Sequence, residues 1–226
     1  MSNYSLIKDE SILNDFIQNV LPDERDNEMF MICLFARQKY CPEIKIGGDK
    51  NCLKRVTATK DRIVTKIRQM EIAEGGYLSK DEVPLPQKAL AIYITINPRN
   101  LELAAKKSLI KLATVITEKY NGYNPHQLVM SEIQKSAGKK TYTDFDFDNL
   151  EFDEKKFSQI LDDSTYKVLK SRGGFHLLVK HEEIVKNKNT WYRTISSMPN
   201  CDVSGDCLIP IPGCTQSEFM PYMIKQ

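Results

Sequence analysis

Thr141-Tyr142-Thr143-Asp144-Phe145-Asp146-Phe147-Asp148-Asn149 alternates acidic and aromatic residues with a period of two. Read as a β-strand, it puts Asp144, Asp146 and Asp148 on one face and Phe145 and Phe147 on the other. The aromatic face can be buried against a helix layer. Carboxylates two residues apart repel, and crowding raises their pKa values unless a cation sits between them. Aspartate is depleted in strand interiors, so three in alternation oppose local propensity and mark a site. A hard divalent cation with oxygen ligands, Mg²⁺ or Mn²⁺, is the natural partner. A solvated edge strand kept from aggregating by its charges fits the same pattern. The stretch alone leaves both readings open.

Two later segments extend the pattern. In Gly174-Phe175-His176-Leu177-Leu178-Val179, the residues Phe175, Leu177 and Val179 share one face, so His176 projects to the other. Arg172-Gly173-Gly174 precedes it, and glycines let backbone N–H groups and Arg172 come close to an anion. A structural histidine after a plain hairpin turn fits these residues too. Further on, Cys201-Asp202-Val203-Ser204-Gly205-Asp206 offers two carboxylates, each able to join a metal centre or to cap a turn. Pro210-Ile211-Pro212-Gly213 is excluded from a central paired strand and predicts a rigid turn under or beside the site.

Around these segments the chain reads as α+β. Helical spacing covers 11–20, 59–72, 101–120, 125–134, 154–161 and 182–196. Apolar runs predict strands at 28–37 and 89–96, a tight pair at 166–170 and 175–179, and a short last strand at 220–224. Residues 41–55 read as a loop or hairpin whose Lys45, Lys50, Lys54 and Arg55 either meet phosphates or stay solvated. Ser79 to Gln87, with Pro84 and Pro86, is the best linker candidate.

With 226 residues, the chain can form one sizeable domain or two small lobes sharing a core, burying roughly 70% of its unfolded surface. A net charge of +2 does not announce nucleic acid, so any polyanion contact must come from local clusters. The six cysteines contain no C-x-x-C pair. Cys201, Cys207 and Cys214 could join in a zinc site, but buried free thiols are the simpler account. No apolar run approaches the roughly 20 residues of a membrane span, and no secretory h-region opens the chain. A cytoplasmic protein with no membrane partner is expected.

Three segments together, Asp144-Phe145-Asp146, Gly174-Phe175-His176 and Cys201-Asp202 followed by Ile211-Pro212-Gly213-Cys214-Thr215-Gln216, resemble the catalytic motifs of the archaeo-eukaryotic primase (primase–polymerase) superfamily. Tyr93 to Arg99 also resembles a strand ending in N-P-R found in such families. The resemblance implies a single domain over 1–226. An N-terminal α/β lobe would cover 1–85, and a catalytic core with an RRM-like sheet would cover 86–226.

It also implies roles. Asp144, Asp146 and Asp202 would be metal ligands for two Mg²⁺ or Mn²⁺ ions. Asp148 offers an alternative register, because Asp146-Phe147-Asp148-Asn149 fits the same motif. His176 would contact the triphosphate, with Arg172, Gly174 and Arg99 also binding the nucleotide. Two positions depart from the family: Gly174 stands where serine is common, and Pro210 stands near the place of a basic residue.

The implied activity is that of a template-dependent nucleotidyltransferase, a DNA primase or primase–polymerase. A 3′-hydroxyl would attack the α-phosphate of an NTP or dNTP on a single-stranded DNA template. Lys139, Lys140, Arg99, Arg172 and Lys170 would position the template through its phosphates. The chain has no P-loop, so a separate replicative helicase is the implied partner, and a phage or mobile-element replication system is the implied setting. Two rivals share the residues: a metal-dependent nuclease, and a catalytically inactive nucleic-acid-binding subunit.

Overall fold

The computed structural model describes residues 2–48, 50–117, 122, 124–205 and 208–226. The N-cap carboxylate of Asp9 accepts from the N–H groups of Ser11 and Ile12 and starts α1 (Glu10–Asn19), which buries Leu13, Phe16 and Ile17. β1 (Glu28–Arg37) is apolar along its length because it runs through the middle of a sheet. It pairs antiparallel with β2 (Lys50–Ala58) on one side and with β3 (Leu90–Thr95) on the other. α2 (Ile63–Arg68) follows β2 and turns Ile63 and Ile67 inward. β4 (Arg99–Asn100) pairs with the start of β1, and α3 (Leu101–Thr117) then packs against α4 (Pro125–Lys135).

The acidic stretch is β5 (Tyr142–Asp148). After it come α5 (Glu154–Ser158), the hairpin of β6 (Tyr166–Lys170) and β7 (Gly174–Lys180), and α6 (Trp191–Ser196). The chain closes with β8 (Cys201–Gly205), β9 (Leu208–Pro210) and β10 (Tyr222–Lys225). The fold is therefore α+β, with six α-helices among the described residues and two antiparallel sheets. The first sheet runs β2-β1-β3-β9, with β4 attached to β1, and the second runs β10-β6-β7-β5-β8.

The period of two in β5 determines how the layers stack. Phe145 and Phe147 point away from the first sheet into a core with Phe157 of α5 and with Trp191 and Ile195 of α6. Phe147 stacks on Phe175 of β7 at 4.7 Å between ring centroids. On the opposite face, Tyr142, Leu169 and Leu178 join the core formed by the first sheet, α1 and α2. Buried Asn97 joins the two sheets: its Oδ1 accepts from the N–H groups of Thr141 and Tyr142 at 2.9 and 2.8 Å, and its Nδ2 donates to the Tyr142 carbonyl at 2.9 Å.

Several expectations change. The division at 85/86 does not match the layers, because β3 belongs to the first sheet and β9 returns to it from near the end of the chain. Ser79 to Gln87 is a folded turn rather than a linker. The Ser79 N–H donates to the Val83 carbonyl, the Leu85 N–H donates to the Tyr77 carbonyl, and Leu85 is buried. The last part of the expected loop or hairpin at 41–55 belongs to the edge strand β2 from residue 50 onward.

The helix expected over 182–196 shrinks to α6. Asn187 takes a left-handed φ of 53°, and its side-chain amide donates to the carbonyls of Gln159 and Ile160, holding a turn where the helix would run. α3 does have its apolar repeat, yet it buries Ala104 and Ser108 while Leu109, Ile110 and Ile116 remain more than two-thirds exposed. Residues 118–120 of that expected helix lie outside the described residues.

Candidate active site

On β5 the residue Asp146 lies directly opposite His176 of β7 and, on its other side, directly opposite Asp202 of β8. Asp148 lies opposite Gly174. Register thus gathers residues 56 positions apart onto one sheet face. Two carboxylates directly opposite each other destabilise a sheet unless something neutralises them. Asp146 retains about a third of its side-chain exposure, whereas Asp144 is fully buried.

Asp144 is the partner that fixes His176. The Nδ1 atom lies 3.1 and 3.2 Å from the two Asp144 carboxylate oxygens, while Nε2 lies 3.6 Å from Asp146 Oδ1. Burial opposes a charged imidazole here. The Asp144 carboxylate, aided by Asp146 and Asp148, outweighs it and raises the His176 pKa to about 9. Burial also raises the Asp146 carboxyl. His176 pulls it down, and Asp144, Asp148 and Asp202 push it up again.

A cleft of about 340 Å³ opens over this face, between the two sheets. Asp146, Asp148, Asp202 and His176 form one side. Arg37, Lys39, Tyr93 and Gln216 come in from the first sheet and its neighbours. Arg37 Nη1 donates to Tyr93 Oη at 2.9 Å, and the Arg172 backbone N–H donates to Gln216 Oε1 at 2.8 Å. Around the Tyr40 ring, Arg172 sits 4.5 Å from the centroid, Lys39 5.6 Å and Arg37 5.7 Å. Three cations thus converge on one ring at the mouth of a cleft whose far side is acidic.

The structure therefore brings Asp144, Asp146, Asp148, His176, Asp202, Gly174 and Arg172 into one neighbourhood. Asp144 sits behind His176 rather than on the cleft wall, so Asp146 and Asp148 are the pair facing the open space. Gly174 also has a packing reason. A Cβ there would meet the Phe147 carbonyl oxygen at 1.8 Å, so the strand pair has no room for a serine. Pro210 lines the cleft from edge strand β9, opposite Tyr93, where its missing N–H costs no central ladder bond.

Other expected contacts stand elsewhere. Arg99 is 2% exposed, in β4, and does not line the cleft. Lys170 pairs with Glu151 at 2.9 Å and Lys139 with Glu182 at 3.4 Å, neither of them on the cleft wall, and Lys140 is exposed. Asp206 and Cys207 lie outside the described residues. Cys214 is buried in the first core, and burial together with Asp202 pushes the Cys201 thiol up to about 11, so both are structural thiols. Among the described residues, no group of three His, Cys, Asp or Glu side chains is gathered as a ready-made metal site.

Arg37 and Lys39 were not singled out by sequence reasoning, whereas Tyr93 and Gln216 stand at the ends of stretches quoted for the resemblance. The available signal was small: Arg37 is the charged residue that ends a buried apolar strand. Also among the described residues, no helix is long and apolar enough to cross a membrane. Comparisons with protein-family models, with curated proteins and with solved structures found no match for this chain.

Proposed function

We propose that the protein is a divalent-metal-dependent, template-dependent nucleotidyltransferase of the primase–polymerase type, with the second sheet as its RRM-like catalytic sheet. The observation that carries this reading is the opposition of charge across one cleft. Asp146, Asp148, Asp202 and His176 face Arg37 and Lys39, with Arg172 at the rim. A metal–triphosphate complex has the matching polarity, with cations toward the carboxylates and phosphates toward the guanidinium groups.

The donor set fits hard cations. Asp146 and Asp202 lie opposite each other with like charge, and the Asp146 carboxyl is held above its usual range by burial and by its acidic neighbours. Asp146, Asp148 and Asp202 would hold the ions. Bound there, divalent ions would acidify a 3′-hydroxyl and neutralise a leaving pyrophosphate.

The chain's own residues do the rest. Asp144 orients the imidazole and keeps Nε2 turned toward the cleft. Arg37, Lys39 and Arg172 neutralise phosphate charge, with Tyr93 holding the Arg37 arm and Gln216 the Arg172 backbone in place. A single-stranded DNA template, delivered by a separate helicase, completes the proposal.

The test is synthesis on a single-stranded template with labelled nucleotides and Mg²⁺ or Mn²⁺, comparing wild type with Asp146→Ala. Product from the wild type alone is expected. Product from both proteins, or from neither, overturns the reading. Shortening of labelled DNA without added nucleotides would instead identify the nuclease.

A further inference from the structure

A second groove lies on the first sheet, away from the carboxylates. It has a volume of about 400 Å³ and runs between β2 and α4, with Asn51, Lys54 and Arg55 on one side and His126, Gln127 and Met130 on the other. Among the described residues its lining includes no Asp or Glu. β2 is the edge strand of its sheet, so its outer backbone groups face the groove's surroundings rather than another strand.

A β-bulge aims the groove's main cation. Leu34 pairs with Lys54 and Phe35 with Cys52, which leaves Leu53 as the extra residue. The bulge turns Cys52 and Arg55, three positions apart, onto the same sheet face. Arg55 Nε then donates to Cys52 Sγ at 3.3 Å. Lys54, opposite Leu34 and so on the alternate face, is exposed at the sheet edge where it still lines the groove, and His126 is exposed on the facing helix.

The same helix links this groove to the cleft. Gln127 lines the groove and Gln134 lines the cleft. They are seven positions apart, about 10 Å of helix rise. Between them Met130 packs on the sheet face that carries Phe35 and Tyr93.

We infer that the β2–α4 groove binds the sugar-phosphate backbone of single-stranded nucleic acid on its way to the carboxylate cleft, with Lys54, Arg55 and His126 as the phosphate contacts. The direction of the strand toward the cleft rests on the nucleotidyltransferase reading. The binding itself does not.

The experiment measures fluorescence anisotropy of a labelled oligothymidylate with the full chain, in EDTA and without nucleotides, over a series of salt concentrations. Lys54→Glu/Arg55→Glu should weaken binding at least tenfold, and Lys54→Gln/Arg55→Gln should lower the salt slope by about 1.4 for two lost phosphate contacts. Lys106→Glu/Lys107→Glu on exposed α3 makes the same charge change away from the groove and should leave affinity within about twofold. Melting curves confirm that each variant is folded.

Equal losses from both charge reversals would show only general electrostatic attraction and overturn the inference. Unchanged binding in the groove variants would also overturn it, leaving the β2 edge to an extended peptide. Because metal and nucleotides are absent, a wild type that binds through Lys54 and Arg55 but fails to synthesise would refute the proposed activity while leaving the groove intact.

Discussion

On one side of the cleft, Asp146, Asp148, His176 and Asp202 stand on three adjacent strands, held by ladder register. On the other, Arg37 ends a strand, Lys39 lies in a 3₁₀ turn, Tyr93 comes from β3 and Gln216 from a loop near the end of the chain. The acidic side is rigid because each side chain rides on a paired backbone. The basic side consists of long side chains gathered around the Tyr40 and Tyr93 rings. Rigid carboxylates suit hard cations that need fixed oxygen ligands, whereas long cationic arms can follow a polyphosphate as its charge shifts.

The comparison can be broken most directly at Asp146. Asp146→Ala should cut nucleotide incorporation by about 10³-fold while the protein stays folded, as judged by circular dichroism and initial rates. Asp144→Ala tests the layer behind. Removing one partner of a buried charge pair should cost about 3 kcal/mol, read as a fall in the denaturation midpoint. If Asp144→Ala destabilises no more than an exposed substitution, the proposed positioning role is wrong.

On the basic side the effect should be kinetic. Arg37→Ala should raise KM for the nucleotide by about 30-fold, worth about 2 kcal/mol for a charge-assisted contact, with kcat changed less. A collapse of kcat with KM unchanged would contradict a phosphate-binding role.

The last effect, spread over a wide pH range, is a pH dependence of the metal-free protein. The His176 pKa is about 9 when folded against an ordinary value of 6.5. The charged imidazole therefore stabilises the fold fully below pH 6.5, and that contribution is lost as pH rises through about 9. Denaturation in EDTA should show stability falling across this window, and Asp144→Asn should flatten the fall. A flat profile in the wild type would mean that His176 is neutral.

Legibility in the sequence followed the same divide. The acid–aromatic alternation of β5 and the position of His176 among Phe175, Leu177 and Val179 are local patterns of period two, so the residues predict both faces. The role of Asp144 was not legible, because the alternation treats three aspartates alike. Only the pairing of β5 with β7, and the layer beneath, buries Asp144 and leaves Asp146 and Asp148 facing the cleft. The contact of Arg37 with Tyr93 joins positions 56 apart and depends on how β1 pairs with β3, which no local pattern encodes. α3 failed for the opposite reason: its apolar period is correct, but packing against α4 leaves Leu109, Ile110 and Ile116 in solvent.

The hydrogen bonds of Asn97 to Thr141 and Tyr142 give one amide the job of a spacer bar between the sheets. With β3 and β5 clamped at that point, the gap has a preset width before any ligand arrives. If the proposed activity holds, selectivity among nucleotides of different size would then depend on how far the arginine and lysine arms reach, and not on a jaw-like closure of two halves.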